Sequence, residues 1–109
     1  MRQEIPVQPI ANQTLQVQLG TQPTVLEIYQ TAYGMFINVF VGNSLIVAGV
    51  ICENLNRIVR DSYLGFIGDL VFIDTKATAP GQGSDPVFTG LGSQYVLIWD
   101  DSGFAANLG

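Results

Sequence analysis

At 109 residues the chain is one domain's worth of polypeptide, since single domains run to roughly 100–200 residues. Nine Asp and Glu against four Lys and Arg give a net charge of −5, which argues against a partner held by phosphate neutralisation. There is no His and a single cysteine, Cys52, so His-activated nucleophiles, an internal disulfide and Cys-rich zinc sites are excluded.

Residues 1–11 hold Pro6 and Pro9 and little periodicity, and are expected to form an extended arm. Leu15, Val17 and Leu19 alternate with Gln16 and Gln18, the pattern of a half-buried strand ended by Gly20. Thr21-Gln22-Pro23 reads as a turn, and Val25 to Gln30 as a second strand with Leu26 and Ile28 on one face. Met35 to Val41 and Leu45 to Ile51 flank Gly42-Asn43, the signal of a hairpin with glycine first in a type II′ turn. Glu53 to Arg60 spaces Leu55, Ile58 and Val59 along one helical face; two helical turns and an irregular crossing both fit residues 53–62.

Leu70 to Asp74 makes a fifth strand, and the Pro- and Gly-rich stretch 75–92 is expected to be a long connection without elements. Tyr95 to Trp99 is the sixth strand, and 102–109 a loose tail after a β domain over 12–101. Six short strands and at most one short helix predict an all-β fold, a small antiparallel β-sandwich or strongly bent sheet.

Charge is scarce and unevenly placed. About 5,900 Å² of folded surface is expected for this mass, so thirteen charges leave one per roughly 450 Å². Between Ile5 and Cys52, Glu27 is the sole charged residue. The uncharged run Met35 to Cys52 is long enough for a membrane span, but Gly42-Asn43-Ser44 breaks it and no basic residue flanks it before Arg57. No membrane partner is expected. Glu4, Pro6 and Pro9 interrupt any signal-peptide apolar run, so synthesis in a cytoplasm is expected.

Several strands are apolar on both faces. In Met35 to Val41, for example, Met35, Ile37, Val39 and Val41 lie on one side and Phe36 and Phe40 flank Asn38 on the other. Without helices to wrap it, the second face needs another sheet or a neighbouring subunit.

Catalytic constellations are weak. Cys52 reads as a buried thiol, because nothing nearby activates it. Asp69 and Asp74 bracket a strand and stand roughly 16 Å apart, too far for a carboxylate dyad. Adjacent Asp100 and Asp101 point to opposite faces, and Asp100-Asp101-Ser102-Gly103 lacks the spacing of a calcium loop. Gly65-Phe66-Ile67-Gly68 has the GxxG form of a KH clamp but no cation for a nucleic-acid backbone. No enzyme activity, metal or cofactor is expected. The alternative to a structural role is a carbohydrate- or peptide-binding β module using Tyr95, Trp99 and the 75–92 loop.

The arm Glu4-Ile5-Pro6-Val7, the strand Gln13 to Leu19, the central hairpin, the segment Asp61 to Leu70 and Leu91-Gly92 before an aromatic last strand occur in that order. Together they resemble the baseplate plug proteins of contractile-tailed phages, the family known from a cyanophage baseplate plug. The resemblance spans about Ile5 to Asp101, and Tyr63 to Leu70 is its most specific part. Phe36 stands where members often carry Trp.

The resemblance implies a virion structural protein, a homo-oligomer (trimer or hexamer) on the tail axis. It would meet the tail tube and hub or spike proteins and close the tube lumen before contraction. The interface candidates are Ile5, Pro6 and Val7 of the arm, Phe36 and Phe40, Tyr63 and Phe66, and Trp99.

Overall fold

Three two-residue turns decide the larger part of the architecture. In the computed structural model, which describes residues 2–60, 66–76 and 85–101, they connect β2 (Asn12–Leu19), β3 (Gln22–Thr31), β4 (Gly34–Val41) and β5 (Ser44–Ile51) into an antiparallel meander. The Gly42-Asn43 turn is as expected: Val41 pairs with Ser44, and Gly42 alone takes a positive φ, +58°. The first turn differs. It consists of Gly20 and Thr21, so Gln22 and Pro23 belong to β3, with Pro23 near the strand start where a missing N–H does least harm.

A second sheet of order β1-β7-β6 covers the first, formed by β1 (Arg2–Ile5), β6 (Asp69–Asp74) and β7 (Tyr95–Asp100), again antiparallel. The fold is the expected small all-β arrangement with one strand more than the periodicity showed. Residues 2–5 of the arm are a strand of the chain's own sheet, with Ile5 opposite Leu97 and Arg2 opposite Asp100. Four residues with two charges carry no readable alternation; their strand state is set by the edge of β7, almost the whole chain away.

The inward faces of the two sheets share one core. Leu26 and Ile28 of β3 and Met35, Ile37 and Val39 of β4 meet Leu70 and Phe72 of β6 and Leu97 and Trp99 of β7, all essentially without solvent exposure. At roughly 25 cal/mol per Å² of apolar surface removed from water, this interior drives the folding.

Residues 53–60 form an irregular crossing, not a helix. Isolated bridges pair Asn54 with Phe72 and Arg57 with Val71, and the amides of Leu55 and Ile58 donate to the carbonyls of Phe72 and Leu70 at 2.9 and 3.0 Å. The physical reason is the edge of β6, whose outward carbonyls take these N–H groups; a helix would hold them internally. Glu53 accepts from Asn56 Nδ2 at 2.9 Å within the crossing. The connection expected to lack elements holds one 3₁₀ turn, Phe88–Gly90, while 77–84 lie outside the described residues.

Candidate functional site

The two outer faces of the sandwich differ in chemistry. On the outside of the four-stranded sheet, cross-strand register lines up Tyr29, Phe36 and Ile51 in one row and Val25, Phe40 and Leu45 in another. Leu45 is 54% and Ile51 43% exposed, large values for such side chains, one towards each end of β5. Tyr29 and Phe36 contact edge to face, with ring centroids 5.9 Å apart.

Between the two apolar rows runs one polar row. Glu27 stands opposite Asn38, whose Nδ2 donates to the Glu27 carboxylate at 3.0 Å. The Asn38 Oδ1 accepts from the Gly49 amide at 2.7 Å, inside a stretch where β5 slips register against β4. Glu27 is the single charged residue of the whole meander, residues 12–51. A shallow depression of about 480 Å³ lies at one end of this face, lined by Gln16, Gln18, Pro23, Val25, Gly42 and Asn43.

Charge is concentrated on the other layer. Asp69 and Asp100 are direct cross-strand partners, a juxtaposition that spacing along the sequence did not reveal because it depends on β6 pairing with β7. Both are buried. Asp69 accepts from the amides of Val59 and Leu70 through one oxygen and of Arg60 through the other, at 2.7–2.8 Å. These bonds make it a bracket for the crossing, and they hold Arg60 at a φ of +73°. Asp100 takes the Arg2 guanidinium at 2.6 Å. Asp74 accepts from Lys76 N and Gln94 Nε2. Among the described residues no three His, Cys, Asp or Glu side chains are gathered in a metal-binding arrangement.

The interface candidates separate into inside and outside. Ile5, Val7, Phe66 and Trp99 are buried in the chain's own core, Pro6 is exposed, and Phe36 and Phe40 are half-buried on the outer face of the meander. Tyr63 lies outside the described residues. The neighbours that complete the face, Val25, Tyr29, Leu45 and Ile51, were legible only as the second side of alternating strands.

The ligand-module alternative is corrected at its rings. Tyr95 and Trp99 are 4% and 1% exposed, and the indole N–H donates to the Ile67 carbonyl at 2.8 Å. Both point inward because they share the β7 face with Leu97, opposite the meander, so neither offers a stacking surface. Cys52 is also buried, and burial pushes its thiol up to about 12, far from a reactive thiolate at neutral pH. Among the described residues no helix is long and apolar enough to cross a membrane; Met35 to Cys52 runs through the β4–β5 hairpin.

No curated protein matches the chain. A family model does, from residue 2 to 102, thereby taking in both sheets and the crossing between them. With nearly its whole length matched, the chain belongs to the family described as the cyanophage baseplate Pam3 plug gp18.

Proposed function

We propose that this baseplate protein is a self-associating plug, placed on the tail axis between the tail tube and the hub or spike, where it closes the lumen until contraction. Family membership supports the plug role. The observation that carries self-association is the outer face of the meander. Two apolar rows containing Phe36 and Phe40 flank a single polar row on a sheet with one charge, a surface suited to protein contact. Pro6 is the exposed arm residue that joins the contact set, and β1 itself holds the edge of the chain's own sheet. The net charge of −5 suits a conduit for DNA, since a negative wall does not retain passing phosphates.

Light scattering on the purified full chain tests this reading. A concentration-dependent trimer or hexamer is expected, and Phe40→Asp is expected to reduce it to a monomer with unchanged circular dichroism. A wild-type protein monomeric at every concentration overturns the reading.

A further inference from the structure

Self-association through the meander raises the question of what the face meets on the next copy, and Glu27 restricts the answer. A two-fold contact centred on this face sets the polar rows of the two copies against each other, because an isologous interface uses the same patch twice. Two Glu27 carboxylates then approach each other in a setting stripped of water, with neutral Asn38 and Thr14 as their cross-strand neighbours and no positive charge on the meander. Like charges so placed repel strongly. The contact therefore favours a different surface, one that supplies positive charge.

The chain has four basic residues. Arg2 is engaged by Asp100. Lys76 is a single exposed cation just past the end of β6, its amide on Asp74. Arg57 and Arg60 remain; they are exposed, three residues apart, and joined by the Arg60 Nε donating to the Arg57 carbonyl at 2.8 Å. Both ride on the crossing along the β6 edge, in the opposite layer from the meander. Among the described residues, the acidic groups that touch this crossing are already engaged: Glu53 accepts from Asn56, Asp85 from the Asn54 amide, and Asp69 from the Val59 and Arg60 amides.

We infer that the outer face of the meander, centred on Glu27, docks on the Arg57–Arg60 crossing of a second copy, so that copies join head to tail. This rests on the self-association proposed above. A heterologous contact of this kind closes into a ring when its rotation permits, which a two-fold pairing of the same face does not. Glu27 then supplies orientation and specificity, while Phe36, Phe40, Leu45 and Ile51 supply the buried area.

Charge reversal with light scattering tests the pairing. Glu27→Arg alone, and Arg57→Glu with Arg60→Glu, are each expected to weaken assembly roughly tenfold or more. Mixed in equal amounts, the two proteins are expected to associate with each other where neither assembles alone, because the meander face of either one then meets opposite charge on the other; a hexamer satisfies every contact by alternation, and a trimer two of its three. Circular dichroism melting checks that each variant folds. Should a reversal unfold the chain, the neutral Glu27→Gln and Arg57→Gln variants must still weaken assembly and lower its salt dependence. Wild-type-like assembly of the arginine double variant, with assembly still lost in Phe40→Asp, overturns the head-to-tail pairing and leaves the face as an interface. Failure of the two variants to associate with each other overturns the pairing too. A monomeric wild type removes the pairing and self-association together.

Discussion

Asn38 joins Glu27 to Gly49: its amide nitrogen donates to the carboxylate at 3.0 Å and its oxygen accepts the glycine N–H at 2.7 Å. One side chain thus settles two problems of the meander. It gives a half-buried carboxylate a donor, and it takes the place of a backbone acceptor where β5 slips register against β4.

Replacing Asn38 by Leu keeps the branched shape and removes both bonds. The Gly49 amide and the carboxylate lose partners, and a loss of about 1–3 kcal/mol is expected. Urea unfolding measures it. Hydrogen exchange locates it, with faster exchange expected at Gly49 and unchanged exchange in β6 and β7.

Ile5 anchors β1 in the core at 1% exposure, while its neighbour Pro6 is exposed. Ile5→Ala should therefore destabilise by roughly 2–5 kcal/mol, the range for emptying a buried aliphatic site. Pro6→Ala should stay within about 0.5 kcal/mol, as surface changes do. Equal effects of the two substitutions in denaturant would show that β1 does not hold this place in solution.

Gly68 has a φ of +81°, and a Cβ there would collide with the Asp100 carbonyl and lie 2.9 Å from Trp99 Nε1. Gly68→Ala is expected to displace the indole from the Ile67 carbonyl and to destabilise by more than about 2 kcal/mol. Since Trp99 is the single tryptophan, its emission reads the change directly. The wild type should emit as a buried indole, unaffected by added sugars, and the variant should shift to the red.

The Cys52 thiol, raised by burial from 9.0 to about 12, makes stability fall in alkali. Below pH 9.0 the thiol is protonated in both states and its contribution is fully present. Between 9.0 and about 12 the unfolded chain loses the proton and the native one retains it, so this contribution declines as pH rises. Cys52→Val should flatten that part of the pH–stability curve. In the native wild type at pH 8, reaction with a thiol reagent should proceed only through unfolding.

Local pattern reached far into this fold. The alternation of Leu15, Val17 and Leu19 and the glycine of the Gly42-Asn43 turn foretell β2 and the β4–β5 hairpin, because both are determined within a few residues. The two-sided apolarity of Met35 to Val41 likewise announces that a second layer covers one face. Which face becomes the core was decided only when β6 and β7 packed on the meander and took Met35, Ile37 and Val39, leaving Phe36 and Phe40 outside. The strand state of Arg2 to Ile5, the unwound course of 53–60 and the Asp69–Asp100 pairing depend on strand edges distant in the chain. No periodicity encodes those partners, since hydrogen bonds to a remote edge constrain the backbone and leave the side-chain order free.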